Sequence, residues 1–273
     1  MRTLRILWSE SVKQWKIKVA YPAEFLRTLV EPVLYILPFV FYGLAVAGGP
    51  RSGTLAQTTG TSDVVTFTVI GYVFMGFLNV SLWGMGFSLR KEQYWGTLET
   101  IFVSPTPRWV YVMGQALHSV LHQGLILLIQ AGLIGLTFGL SINGWGLLPA
   151  FGVLALMLLA LFGLGIMVAA VILVVKEGWM VAEGLDTIVS MITPIAYPLA
   201  VMPAMLKPLS FLMPTTYGIS AIRHFLIGEK LPWGLGLTLT GLIFLSALWI
   251  VLGILVFRRM DKKVRREGTL GEY

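Results

Sequence analysis

Long apolar runs separated by short polar segments dominate the chain. A helix needs roughly 20 apolar residues to cross a hydrocarbon core about 30 Å thick, and runs of that length recur. The pattern predicts an all-α polytopic membrane protein, since a β-barrel shows short segments of strict alternation instead. Six spans are predicted: Phe25–Ala47, Val64–Leu89, Trp109–Leu140, Leu147–Val175, Leu185–Met205 and Trp233–Phe257.

Two further apolar segments do not fit a full crossing. Residues 1–24 contain a helix over 2–19 whose apolar residues recur at helical spacing among basic ones, which is typical of a helix lying at the membrane interface. A plain basic anchor with no part in coupling is the alternative interpretation. Residues 206–232 are short and broken by prolines, which favours a re-entrant or interfacial helical pair between spans five and six.

Charge orients the spans. Only 12% of residues are charged, about half the usual fraction. If both termini and the loops near 90–108 and 176–186 share one side, that side holds 16 of the 20 Lys and Arg residues. Basic residues are retained in the cytoplasm, so both termini are predicted to be cytoplasmic. The basic tail 258–273 then faces anionic lipid head groups rather than nucleic acid, after a transmembrane domain over 25–257.

Residues 90–105 form a compact polar segment between two spans. Gly96 permits a break, and a short helix follows that two prolines end. Such a helix suits a groove on a soluble partner, with Glu92 and Glu99 pairing with the partner's Arg or Lys. The alternative is a simple connection between spans. The apolar face for the groove consists of three residues at helical spacing: Leu98, Ile101 and Phe102.

The second span carries a candidate substrate path. Its residues are suited to line an apolar cavity with one polar side chain, which fits an amphipathic substrate. The alternative is ordinary packing between helices. The four candidates are Tyr72, Met75, Asn79 and Trp83.

Spans five and three contain helix breakers and histidines. Pro194 and Pro198 each remove a backbone donor and predict kinks in span five, which either gate a path or only bend the helix. His118 and His122 have the spacing of a helical metal pair, but no nearby acid completes a site. Hydrogen bonds between helices are the preferred interpretation of these histidines, and no metal is predicted.

Several different short motifs follow one another along the chain. They are Lys91-Glu92 through Gly96-Thr97-Leu98-Glu99 with Ser104-Pro105, then Lys176-Glu177, then Thr193-Pro194-Ile195-Ala196-Tyr197-Pro198, Met202-Pro203, Met213-Pro214-Thr215-Thr216-Tyr217, Ala221-Ile222-Arg223 and Gly228. In order and spacing they resemble the type-2 ATP-binding-cassette (ABC) exporter permeases, and the resemblance covers nearly the whole chain.

The resemblance implies a homodimeric permease that docks two copies of a separate ABC ATPase through the loop after span two. The chain has no G-x-x-x-x-G-K-[ST] motif, so ATP and Mg²⁺ are expected on the partner and no cofactor or enzyme activity in this chain. Membrane lipid is the other expected partner, in a bacterial or archaeal cytoplasmic (inner) membrane. The implied coupling residues are Glu92, Gly96, Thr97, Leu98, Glu99 and Phe102, with Lys176 and Glu177 as a lesser second contact.

The expected function is export of an amphipathic or lipid-like substrate such as a drug, a lipid or a lipid-linked glycan. A stand-alone secondary transporter is the alternative, and the scarcity of acids in the central spans counts against it. A membrane enzyme is a third class, but the residues assemble no plausible catalytic cluster.

Overall fold

A computed structural model of the chain describes residues 2–104, 106–175 and 178–267, and within these ranges the fold is helical without a named strand. Short 3₁₀ turns at Gly144–Gly146 and Leu199–Val201 join longer helices. The α-helices are α1 (Arg2–Ala20), α2 (Pro22–Ala47), α3 (Gly53–Thr59), α4 (Val64–Asn79), α5 (Ser88–Tyr94), α6 (Leu98–Val103), α7 (Arg108–Phe138), α8 (Leu147–Val174), α9 (Gly178–Ile192), α10 (Lys207–Phe211), α11 (Pro214–Ile227) and α12 (Gly234–Glu267).

Five of the six predicted spans are confirmed as helices long and apolar enough to cross a membrane. The second of them continues from α4 into a π-helical stretch, Val80–Gly86. Stretches of this kind are rare and occur often at functional sites. The five helices are Pro22–Ala47, Val64–Gly86, Arg108–Phe138, Gly144–Val174 and Gly234–Lys263.

The predicted helix over 185–205 is wrong. Helix α9 begins at Gly178 and ends at Ile192, so its 15 residues extend roughly 22 Å at 1.5 Å per residue. The chain then continues without α-helix until α10. Pro194 and Pro198 therefore lie beyond the end of α9 and do not kink a helix. Each lacks the backbone N–H that a continuing helix needs, which explains why the helix does not extend through them.

A buried arginine stabilises this break. In a continuous helix the carbonyl of Pro194 would accept from residue 198, but Pro198 has no N–H to donate. The Arg223 guanidinium of α11 donates to that carbonyl at 2.9 Å and also to the carbonyl of Ile195. It donates in addition to the Phe67 carbonyl of α4 at 2.8 and 3.1 Å. Arg223 thus ties α4, α11 and the segment after α9 together.

The core centres on α8, which packs against α12, α11 and the π-helical stretch. Gly163 of α8 and Gly253 of α12 lie so close to the opposite backbone that a Cβ on either would collide with it. Small residues of this kind let membrane helices approach closely. From the π-helical stretch, the Ser81 hydroxyl donates to the Leu161 carbonyl of α8 at 2.6 Å.

The predicted N-terminal helix is confirmed as α1, which packs along α7. The predicted helical pair over 206–232 corresponds to α10 and α11. The placement of α1, α10 and α11 relative to a membrane stays a prediction, as does the cytoplasmic location of both termini.

Candidate functional site

The 90–105 segment folds as two short helices joined at a glycine turn. Gly96 adopts φ +70°, a left-handed conformation that side chains other than glycine rarely adopt. Its N–H donates to the Gln93 carbonyl at 3.0 Å, and the Thr97 N–H donates to the Glu92 carbonyl at 2.9 Å. The break predicted at Gly96, between α5 and α6, is confirmed.

Glu92 is the centre of a buried hydrogen-bond network. It is 4% exposed, and its carboxylate accepts from the Tyr111 hydroxyl of α7 at 2.5 Å and from the Thr97 hydroxyl. Lys13 of α1 places its ammonium 3.6 Å from the same carboxylate. Glu92 therefore joins α1, α5, α7 and the glycine turn, and the expected direct pair with a partner's basic residue does not fit this geometry.

The network keeps Glu92 ionised at neutral pH. Burial alone raises the pKa of this carboxyl, but the hydrogen bonds from Thr97 and Tyr111 and the charge of Lys13 outweigh it and lower the pKa below its ordinary value. Donors that bond to a charged carboxylate favour that charged form.

The apolar face of α6 also turns inward. Leu98 is 2% exposed, and it packs in a cluster with Tyr111 and other residues of the π-helical stretch, α5, α7 and α8; Ile101 packs against the same cluster. Leu98 is thus covered within this chain and Ile101 is covered in part, while insertion of this face into a partner stays a prediction. The side chain of Phe102 and all of Lys176 and Glu177 lie outside the described residues.

A different face of the segment remains accessible. Glu99 and Thr97 are exposed, and Val103 at the end of α6 is 86% exposed. Tyr94 and Trp95 precede the turn at 60% and 51% exposure. This outer face combines one carboxylate with apolar and aromatic groups.

A cavity of about 1170 Å³ lies between α1, α2, α4, the π-helical stretch, α5, α7 and α9. Every second-span residue predicted to line a path lines it, whereas Pro194 and Pro198 are not among the described lining residues. Phe39 of α2 stacks on Tyr72 with ring centroids 4.3 Å apart, which gives this wall an aromatic surface. The predicted residues in the wall are Tyr72, Met75, Asn79 and Trp83.

Another wall is a polar stripe on α7 that was missed from the sequence, where two of its members, His118 and His122, are interpreted as forming hydrogen bonds between helices. The signal was present in their spacing, which returns to one helix face every three or four residues. Some members also bond to neighbours, as Gln130 does to the Pro32 carbonyl at 3.0 Å. The α7 polar stripe comprises Gln115, His118, Ser119, His122, Gln123 and Gln130.

Helix α1 closes one end of the cavity against this stripe. The Lys18 ammonium lies 3.0 Å from Nε2 of His122, and the Trp15 ring meets the His118 ring edge-on at 5.0 Å between centroids. Within the described ranges, no group of three or more His, Cys, Asp and Glu residues is placed to hold a metal ion. The two histidines thus contribute to the wall and to the α1 contact.

The cavity and the 90–105 segment are connected by hydrogen bonds. Gln115 of the α7 polar stripe donates from Nε2 to the Tyr111 oxygen at 3.1 Å, and Tyr111 donates to Glu92. A displacement of the glycine turn is thereby linked to a residue in the cavity wall through two side chains.

Comparison with known families identifies a matching family model. A family model described as ABC-2 type transporter matches residues 2–227. The matched range includes α1 through α11, and so contains the 90–105 segment and the helices around the cavity. A search of curated proteins gave no match.

Proposed function

The chain belongs to the ABC-2 type transporter family, and on that premise we propose that it is the transmembrane permease subunit of an ATP-driven exporter. Its substrate is amphipathic or lipid-like, such as a drug, a lipid or a lipid-linked glycan, and leaves the cytoplasm or the inner leaflet. A separate ATPase binds ATP and Mg²⁺ and performs the hydrolysis. The complex contains two copies of each chain in a bacterial or archaeal cytoplasmic membrane.

The proposal rests on the cavity, which has one apolar and one polar wall, and on its connection to the 90–105 segment. One wall is aromatic and apolar, while the α7 polar stripe supplies hydrogen-bonding groups. Sites for small amphipathic molecules combine apolar walls with a few polar groups in this way. The Gln115–Tyr111–Glu92 chain then provides a route from the cytoplasmic loop to the wall.

The proposed mechanism is a shift between two conformations of the permease. ATP favours the closed ATPase dimer, and contact with the outer face of the 90–105 segment passes that bias to the permease. Because Glu92 and Leu98 anchor the segment to α7 and the core, the segment moves together with these helices. Glu99, Gly96, Thr97 and Val103 belong to the exposed contact, while Glu92 and Leu98 transmit its displacement.

Co-purification with the cognate ATPase tests this assignment. We expect Glu99→Lys combined with Val103→Asp to abolish ATPase binding, because both changes alter the exposed face. Thr54→Lys is the control, since it introduces the same charge in exposed α3 on the predicted outer side. Full ATPase binding and substrate-stimulated hydrolysis in the double variant contradict the docking surface.

A stand-alone secondary transporter is the second candidate, because Glu183 and Asp186 of α9 line the cavity. Ion-coupled carriers use acidic groups of this kind. The discriminating measurement is transport by the purified chain in vesicles with an ion gradient and no ATPase. Uptake under those conditions overturns the exporter assignment, and uptake that requires both the ATPase and ATP supports it.

A further inference from the structure

Two lysines without carboxylate partners line one end of the cavity. Lys18 of α1 and Lys91 of α5 are both lining residues, and no described salt bridge within 4.0 Å includes either ammonium. Lys18 contacts the His122 ring, and the Lys91 ammonium lies 4.5 Å from the Trp95 ring centroid. Both charges are thus held by aromatic or imidazole groups rather than by an acid.

The surroundings of these lysines disfavour their charge. Burial and, to a lesser degree, the charge of Lys91 lower the pKa of the Lys18 ammonium to about 8, against the opposing charge of Glu24. Burial likewise lowers the pKa of Lys91. The charge of Lys13 lowers this pKa as well, while the charges of Glu92 and Glu10 raise it. An anion placed near both ammonium groups relieves this cost, because opposite charges attract strongly where water is partly excluded.

A buried histidine nitrogen in the same wall also lacks a partner. His118 is 4% exposed, and its Nδ1 makes no hydrogen bond. Buried polar atoms are normally hydrogen-bonded. This nitrogen has almost no accessible surface, so a ligand in the cavity reaches it only when the His118 ring turns toward the cavity. His118 follows Gln115 by one helical turn and lies one turn before His122, so it belongs to the part of the α7 polar stripe nearest Lys18.

Acidic groups of the cavity are found elsewhere. Glu31 pairs with Arg27 at 2.5 Å, and Glu183 and Asp186 belong to α9. None of these carboxylates forms a described ion pair with Lys18 or Lys91. The basic groups on α1 and α5 are therefore separate from the acidic groups on α9.

We propose that Lys18, Lys91 and His118 form a subsite for the acidic head group, phosphate or carboxylate, of an amphipathic substrate. The apolar part of the molecule lies against Tyr72 and Met75 in the aromatic wall. An ammonium acts as a point charge that binds phosphate or carboxylate without demanding one geometry. The inference rests on the proposed function, because it takes the cavity as the substrate path, and it narrows the substrate to acidic amphiphiles.

Binding of short-chain probes to the full-length chain in phosphatidylcholine nanodiscs tests the subsite. Octyl phosphate, octanoate, octyl glucoside and octyltrimethylammonium share one tail and differ in head group. With tryptophan fluorescence as the readout, we expect the two acidic probes to bind at least about tenfold more tightly than the neutral and cationic ones. Tighter binding of octyl phosphate than octanoate identifies phosphate as the preferred head group, and the reverse order identifies carboxylate.

Matched variants assign the effect to the two lysines. Lys18→Gln with Lys91→Gln is expected to remove the preference for acidic probes, whereas Lys18→Arg with Lys91→Arg retains it because the charge is kept. Lys16→Gln removes the same charge from an exposed position of α1 that does not line the cavity, and it is expected to bind like the parent chain. If the double Gln variant does not fold, the single variants are each expected to weaken acidic binding.

Several results overturn the subsite. Equal binding of all four probes does so, as does an unchanged preference in the double Gln variant or the same loss in Lys16→Gln. The ATPase co-purification is measured separately. A chain that couples to its ATPase but ignores acidic probes overturns the subsite and leaves the exporter intact, while acidic-probe binding by a chain that couples to no ATPase supports the subsite and overturns the exporter.

Discussion

Removing the Tyr111 hydroxyl is expected to uncouple the cavity from the 90–105 segment. Tyr111 is 6% exposed, donates to Glu92 at 2.5 Å and accepts from Gln115 at 3.1 Å. Tyr111→Phe keeps the ring in its cluster and deletes both bonds. A hydrogen bond to a charged group contributes about 1.5–3 kcal/mol, although Thr97 and Lys13 still stabilise the carboxylate.

This energy sets the size of the functional effect. If only the conformer with an anchored turn passes movement to the cavity, a loss of about 1.4 kcal/mol reduces its population about tenfold relative to detached conformers. We expect Tyr111→Phe to keep ATPase binding, because the outer face of the segment is unchanged. Substrate-stimulated ATP hydrolysis in reconstituted vesicles is expected to fall by up to about that factor.

The same variant changes the pH dependence. The folded chain holds the pKa of Glu92 below its ordinary value, so the ionised carboxylate stabilises the segment at neutral pH and this stabilisation is lost as the pH falls through the lowered pKa. Without the Tyr111 donor the pKa of Glu92 rises. We therefore expect coupled hydrolysis to decline at a higher pH in Tyr111→Phe than in the parent chain.

Tyr42→Phe is the matched control. Tyr42 of α2 is 71% exposed and lies outside the 90–105 segment, so losing its hydroxyl leaves both the Glu92 network and the outer face of the segment intact. The prediction is refuted if Tyr111→Phe hydrolyses ATP at the parent rate and its activity declines at the same low pH as in the parent chain. It is also refuted if both Phe variants lose the same amount of substrate-stimulated hydrolysis.

Three further substitutions test the fold and the turn. Gly96→Ala places a Cβ at φ +70° and is expected to cost about 1 kcal/mol and lower coupling. Gly132→Ala meets open space in α7, so hydrolysis is expected to be unchanged and the thermal midpoint not to fall, because alanine favours a helix over glycine. Gly163→Ala forces α8 from the α12 backbone and is expected to destabilise the chain by about 1–3 kcal/mol; Gly152→Ala, where no atom lies within 4 Å, is its control in thermal unfolding. Arg223→Lys keeps the charge but not the planar fork that reaches several carbonyls, so a lower thermal midpoint is expected, and parent-like stability contradicts the proposed tie.

Much of the fold follows from the sequence because bilayer thickness fixes the length of a spanning helix. Five spans and the α1 helix appear at the predicted places. The break at Gly96 was also predictable, since a left-handed turn favours glycine. The second-span residues Tyr72 and Trp83 were found because one face of a helix lines one side of a cavity.

Long-range contacts account for what sequence reasoning missed. Periodicity shows that Leu98 and Ile101 share an apolar face, but not whether this chain or a partner covers it. Glu92 looked available because Tyr111 and Lys13, which bury it, are distant in sequence. The end of α9 depends likewise on Arg223, whose contact with the Pro194 carbonyl crosses 29 positions.

The glycine contact between α8 and α12 has a mechanical consequence. Two helices that meet backbone to backbone have no flexible side chains between them to absorb sliding or rotation, so they behave as one rigid frame. In the most apolar stretch of helix α2 only 11% is buried, against 61% in that of the span that contains α8. We therefore expect α8 and α12 to stay fixed relative to each other, and the opening and closing of the cavity to come from movement of α2.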